Sequence, residues 1–280
     1  MCIRDSIYAE VIEYGTKAGV DVILIETMQD SYELKAAVLA AKEHSDLPVC
    51  ATVVFDEKGK MLTGGTPESV VALLEGLHID ALGINCSLGP RQIKPFVERM
   101  IQVSSTPIIV TPNAGLPQTD DEGHTYYDMS ADDFALEMKE IASLNVHVLG
   151  GCCGTTPEYL SKTIELVKDL PIEPPVKKNM SVVTSFSQSV EIGPKPVIIG
   201  ERINPTGKKK FKQALRDGDI NYILSEGLKQ EDAGAHILDV NVGLPEIDEP
   251  KMMVEVMKKL QSVIACLLYT SPSPRDTERS

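Results

Sequence analysis

Five apolar runs rich in Val and Ile, at residues 20–26, 48–55, 79–85, 107–111 and 146–150, alternate with helix-like stretches. This alternation constrains the fold more than any other feature of the chain. Short continuous apolar runs read as strands buried on both faces, and such strands belong to parallel sheets crossed over by helices. The stretches between them carry helix grammar. Asp30 with Glu33 predicts a capping box ahead of Leu34, Ala37, Val38 and Ala41. Thr66-Pro67-Glu68 supplies an N-cap, a proline at the first helical position and an acid in the first turn, and Thr156-Pro157-Glu158 repeats that order. Ser130 with Asp133 starts a further helix. The pattern predicts an α/β protein with five β/α units over residues 7–170. They read as the last five units of a partial (β/α)8 TIM barrel, with an open doubly wound sheet as the alternative.

Residues 171–196 are rich in proline and serine and lack periodicity, which predicts an interdomain linker. The β/α pattern restarts at residue 197. A strand over 197–200 runs into Glu201-Arg202-Ile203-Asn204-Pro205-Thr206-Gly207. A helix over 221–232 closes at Gly234, a strand over 235–241 holds Asp239-Val240-Asn241, and a helix begins at Pro250. Residues 197–265 are therefore expected to form the first β/α units of a second barrel. Residues 1–6 and 266–280 break the pattern and resemble translated adapter sequence, so both read as tails that take Cys2 and Cys266 out of the chemistry. The first barrel is expected to be open and the chain, taken alone, inactive.

The net charge of −14 argues against nucleic-acid and anionic-membrane partners, and no run of apolar residues is long enough to span a membrane. Six cysteines outside a short secreted framework suggest a reducing compartment, with the cytoplasm as the default. Cys86, in Gly83-Ile84-Asn85-Cys86, and the pair Cys152 and Cys153, in Gly150-Gly151-Cys152-Cys153-Gly154-Thr155, each follow a predicted strand. In a β/α protein the ends of the strands form the face where active sites are built. Three thiolates with one position open are the outline of a catalytic zinc site, and a thiol that binds there is deprotonated at neutral pH. Cys50, inside an apolar run, reads as a small buried hydrophobe. Asn113, at the end of the strand between the two cysteine motifs, is a candidate fourth zinc ligand or a turn residue. Only His124, in the long loop after it, could add a histidine to the site.

The two cysteine motifs closely resemble those of the zinc-binding homocysteine S-methyltransferase family, over roughly residues 7–170. The resemblance implies a (β/α)8 barrel whose three cysteines hold a zinc that activates homocysteine. It also implies that Glu26, at the end of the first run, contacts homocysteine. The second constellation, Glu201 to Gly207 with Asp239-Val240-Asn241, resembles the pterin-binding barrel of the cobalamin-dependent methionine synthases. That resemblance implies that Glu201, Asn204, Asp239 and Asn241 bind the pterin of methyltetrahydrofolate. Lys208-Lys209-Lys210 could attract the folate's acidic tail or simply begin a solvated helix. The expectation is zinc-dependent methyl transfer to homocysteine, giving methionine. The methyl group would come from methyltetrahydrofolate through cobalamin, which a domain beyond this chain would bind. Two alternatives remain. One is a cobalamin-independent homocysteine methyltransferase fused to a methylenetetrahydrofolate reductase. The other is a non-catalytic zinc or redox module.

Overall fold

The computed structural model describes residues 3–270. Of the expected tails, residues 1–2 and 271–280 lie outside the described residues. The chain divides into a first unit ending at Met180 and a second beginning at Ser181.

The first unit is an α/β structure around a five-stranded parallel sheet. Its strands are β1 (Ile23–Met28), β2 (Val49–Val53), β3 (Ala81–Asn85), β4 (Ile108–Thr111) and, after a small antiparallel hairpin of β5 (Pro117–Thr119) and β6 (Thr125–Tyr127), β7 (Val148–Leu149). Strand order in the sheet follows chain order, β1-β2-β3-β4-β7. A doubly wound sheet reverses its order at a switch point; the described strands show no reversal. The helices are α1 (Ile3–Ala18), α2 (Ser31–His44), α3 (Pro67–Gly76), α4 (Pro90–Val103), α5 (Ala131–Ala142) and α6 (Pro157–Val167). Their apolar faces meet the sheet: Leu34, Leu74, Val97 and Met138 are fully buried in one core with Leu82 and Ile84 of β3. The strands alternate across the sheet, so Ile25 is buried while its neighbour Leu24 is 51% exposed.

The helix starts follow local chemistry, with two departures from expectation. Asp30 caps α2 by accepting from the amides of Tyr32 and Glu33 (2.7 and 3.0 Å). Glu33 Oε1 accepts from the Tyr8 hydroxyl at 2.9 Å, tying α2 to α1. The reciprocal capping box closes at α3, where Thr66 Oγ1 accepts from Ser69 N and Ser69 Oγ accepts from Thr66 N. Thr156 makes no side-chain capping bond; with Pro157 at the first helical position, one amide that would need a partner is already gone. Ser130 caps α5 as expected, accepting from Asp133 N. Replacing Thr66 with Ala should cost about 1 kcal/mol of stability. That is read as a lower urea midpoint with an unchanged slope, and an unmoved midpoint would show that the cap contributes nothing.

The second unit opens, inside the segment expected to be an irregular linker, with an antiparallel hairpin of β8 (Ser181–Thr184) and β9 (Ser189–Ile192). Ser185 Oγ accepts from the amides of Ser187 and Gln188 and shapes its turn. A three-stranded parallel sheet comes next, with β10 (Ile199–Ile203), β11 (Ile237–Val240) and β12 (Leu267–Thr270) in that order. Its helices are α7 (Lys209–Asp217), α8 (Ile220–Asp232) and α9 (Glu249–Gln261). Ile203, Phe211, Leu238, Val256 and Leu260 form its buried core. β12 lies in residues expected to be a tail. The apolar run Cys266-Leu267-Leu268 is enough to extend the sheet, and Cys266 and Leu267 are buried. Gly234, at φ +87°, follows α8 in the left-handed conformation expected of it.

Candidate metal centre

Three loops at the carboxyl ends of neighbouring strands build the site. The first leaves β3. Asn85, fully buried at the end of that strand, grips Thr27 on β1: its Oδ1 accepts from Thr27 N (3.1 Å) and its Nδ2 donates to Thr27 Oγ1 (2.6 Å). The chain then passes through two consecutive left-handed residues, Cys86 at φ +56° and Ser87 at φ +62°. Non-glycine residues rarely adopt this conformation, and it persists only where the surroundings enforce it. Here Cys86 N donates to Thr111 O of β4 at 3.0 Å and Leu88 N to Cys86 O at 2.7 Å. The result points the Cys86 thiol along the strand ends instead of back into the sheet.

The second loop follows β4 and the third follows β7. Gly150 N donates to Val110 O (3.1 Å), Cys152 N to Pro112 O (2.7 Å) and Ala114 N to Cys153 O (2.9 Å). Asn113 joins all three loops. Its amide donates to Leu88 O at 3.1 Å, and its buried side-chain oxygen accepts from Cys153 N at 3.1 Å. Thr155 closes the cysteine turn from beneath, its hydroxyl donating to Cys152 O at 2.7 Å.

The sulfurs converge. Cys86 Sγ lies 3.6 Å from Cys153 Sγ, Cys152 Sγ lies 4.0 Å from Cys153 Sγ, and all three fall within 4.8 Å of one another. Three thiolates on a tetrahedral zinc, each about 2.3 Å from the ion, stand about 3.8 Å apart. The spacing therefore fits zinc, with one tetrahedral position left over. Packed together without a metal, the thiols titrate unevenly. Burial, then the hydrogen bond with Cys86, pushes Cys152 up to about 12. Cys153 is held below the usual thiol value, first by the hydrogen bond with Cys86 and then by those with Tyr127 and Cys152.

Other candidates fall elsewhere. Glu26 is exposed on β1, next to the Thr27 that Asn85 grips. His124 sits at the exposed tip of the β5–β6 hairpin beside Asp120 and Glu122 (3.3 and 3.7 Å) and is not part of the thiol cluster. Cys50 lies within β2, half-buried, its thiol pushed up by burial and by Asp80. Sequence reasoning missed Tyr127, Thr27 and the gripping role of Asn85. The only sequence signal for Tyr127 is a hairpin pattern, Asp-Glu-Gly ahead of Thr-Tyr-Tyr.

In the second unit the expected residues share one end of the sheet. Asn204 follows β10, Asp239 is in β11 and Asn241 follows it, its amide donating to Ile203 O at 2.9 Å. Asn204 Oδ1 accepts from Thr206 N and Asn241 Oδ1 from Gly243 N, both at 2.8 Å. Asp239 Oδ1 is buried without a hydrogen-bond partner, and such an atom marks a place where a ligand donor would be stabilised. Glu201, exposed on β10, is reached by Lys208 Nζ at 3.3 Å, and Lys208 directly precedes α7.

Residues 5–167 match a protein family described as homocysteine S-methyltransferase. The chain is 32% identical over 253 residues to the methionine synthase of Mycobacterium tuberculosis. That alignment covers 86% of this chain and 21% of the relative, so the chain spans about a fifth of the relative's length. Among solved structures, it is similar to the apo form of the homocysteine methyltransferase MmuM from Escherichia coli, at 20% identity and a TM-score of 0.48, over 58% of this chain and 56% of that one. The metallated form of the same protein gives 22% identity and a TM-score of 0.46, over 58% and 52%.

Proposed function

The chain belongs to the homocysteine S-methyltransferase family, and from that premise we propose that Cys86, Cys152 and Cys153 hold zinc and present it to the sulfur of homocysteine for methylation. One observation carries the reading: three sulfurs from two distant motifs stand 3.6 and 4.0 Å apart across the shared sulfur of Cys153. Bound zinc would supply a Lewis acid that keeps an incoming thiol ionised, and so nucleophilic, at neutral pH. The protein's own residues set up that event. The three cysteines bind as thiolates and shed their protons on metal binding. Asn113 holds the Cys153 turn in place, and as the fourth ligand its oxygen would use the lone pair not committed to Cys153 N. Glu26 is the carboxylate for the ammonium group of homocysteine. The parallel sheet, in chain order, is read as part of a (β/α)8 barrel with this site at its mouth.

The second unit is read as the start of the folate half of a cobalamin-dependent methionine synthase. Asn204, Asp239 and Asn241 would face the pterin edge, with Glu201 beside them. Methyltetrahydrofolate would pass its methyl group to a cobalamin held by another domain, and from there to homocysteine. The likeness to a methionine synthase covers too much of the chain to end within the first unit, which favours this reading over a fusion to a methylenetetrahydrofolate reductase. A purely structural zinc site would close its fourth position with a Cys or His, and the cluster among the described residues holds three cysteines.

X-ray absorption on the zinc-loaded chain tests the proposal. One equivalent of zinc with three sulfur neighbours is expected, rising to four when homocysteine is added. A chain that binds no zinc, or a shell that homocysteine leaves unchanged, would overturn it. For the second unit, Asp239→Ala should weaken methyltetrahydrofolate binding about tenfold or more, the scale of a hydrogen bond to a charged group, while zinc content stays the same. Unchanged folate binding by calorimetry would remove Asp239 from the site.

A further inference from the structure

β1 does not run straight to the site. Its pairing with β2 matches Ile25 to Ala51 and Met28 to Val53, so three steps along β1 cover what two cover along β2. The extra residue makes a bulge, and Thr27 absorbs it at φ +64°. A β-branched residue in the left-handed region is an outlier that its surroundings must hold in place. The bulge also changes which side chains share a face. Ile25 and Met28 are both buried in the core with the helices, while Glu26 and Thr27 between them are both exposed. A regular strand would send one of those two to each face. Here both lie on the face away from the helices.

Asn85 supplies what the bulge needs. A bulged residue is left unpaired in its ladder, so its amide requires a partner from elsewhere. Thr27 N donates to Asn85 Oδ1 at 3.1 Å, and Asn85 Nδ2 donates to Thr27 Oγ1 at 2.6 Å. Asn85 is fully buried, and a buried carboxamide left without its partners is costly. Pairing with β2 resumes directly after the bulge, with Val54 N donating to Met28 O at 3.0 Å. One carboxamide thus joins the residue after Glu26 on β1 to the residue before Cys86 on β3.

We propose that the Asn85–Thr27 clamp positions the site for the amino group of the substrate: it fixes the β1 bulge, and with it the setting of the Glu26 carboxylate relative to the Cys86 thiol. This rests on the reading that Glu26 takes the ammonium of homocysteine while zinc takes its sulfur. Those two groups belong to one small molecule and must be met at one separation, and a misplacement of about 1 Å is enough to spoil such a fit. Without the clamp the strained Thr27 backbone relaxes toward extended geometry and Glu26 moves with it. Neither Asn85 nor Thr27 needs to touch the substrate.

Two thiols separate this effect from a general weakening. Homocysteine and γ-mercaptobutyrate present the same thiol and carboxylate to the zinc-loaded chain, and only homocysteine adds an ammonium group for Glu26. The parent should bind homocysteine the more tightly, and Glu26→Gln should erase that preference. Thr27→Val keeps the branched shape and removes the hydroxyl. It should lose about tenfold in homocysteine affinity, the scale of a displaced hydrogen bond to a charged group, with γ-mercaptobutyrate binding and zinc content unchanged. Asn85→Ala, which opens the clamp from the other side, should give the same selective loss, and Thr27→Ser, which keeps the hydroxyl, should restore most of the affinity. In the Glu26→Gln background Thr27→Val should add nothing further. Equal loss of both thiols, or no loss in either clamp variant, would overturn the proposal. An unchanged preference in Glu26→Gln would instead remove Glu26 from the substrate site, and the two failures are distinguishable because that variant leaves the clamp intact.

Discussion

Replacing Cys152 with alanine is expected to strip the chain of zinc. Zinc held by a full protein ligand set is bound with about 10–16 kcal/mol at neutral pH. One ligand's share is roughly 3–4 kcal/mol, a loss of several hundredfold in affinity. The remaining pair, Cys86 and Cys153 at 3.6 Å, would leave two positions open to water and chelator. Zinc content after dialysis against a chelator should fall from near one equivalent to background. Cys50→Ala is the control, because Cys50 lies in β2 outside the cluster, and it should keep its zinc. Cys152 also gives the effect a pH signature. Its thiol is pushed up to about 12, so it is protonated at neutral pH until the metal displaces the proton. Each proton displaced makes binding tighter as pH rises, so the parent's zinc affinity should climb through the neutral range. Full zinc occupancy in Cys152→Ala would sink the assignment of this residue as a ligand.

How far the sequence discloses this site depends on the range of the contacts involved. The five strands of the first unit are legible because each is an apolar run bounded by helix-start signals, and β3 ends at Asn85 where the pattern places it. The convergence of Cys86 with Cys152 and Cys153 follows from the β/α rule that consecutive strand ends share one face. The surroundings of the thiols are set by other forces. The grip of Asn85 on Thr27 spans 58 residues and depends on β1 and β3 flanking β2, which no local pattern encodes. The hairpin carrying Tyr127 has strands of three residues each, too short for period-two alternation to stand out. α1 is hidden for another reason: Ile7, Val11 and Tyr14 are all more than half exposed, so the helix shows no clean apolar stripe. β12 is hidden by its neighbours, because the Ser-Pro-Ser-Pro run after Thr270 breaks the pattern and masks the hydrophobicity of Leu267 and Leu268.

Gly83→Ala should be the most damaging single-methyl change in the first unit. Gly83 sits at the middle of β3, paired with Thr52 of β2 on one side and Ile109 of β4 on the other. A Cβ there would stand 1.8 Å from Ile109 O and 2.6 Å from its carbonyl carbon. No rotamer change relieves a clash with backbone, so β4 must move away from β3. Overpacking of this kind costs about 3 kcal/mol or more. The damage would also reach the metal centre, since β3 leads into Cys86 and β4 into Asn113, and Cys86 N is bonded to Thr111 O across this same strand pair. A lower urea midpoint and weaker zinc retention should therefore appear together. Gly76→Ala is the matched control: nothing lies within 4 Å of a Cβ there, and the residue is helical, so alanine should stabilise the chain by up to about 1 kcal/mol. If Gly83→Ala unfolds at the parent's urea concentration, the close approach of β4 to β3 is wrong, and with it the register that sets Cys86 opposite the paired cysteines.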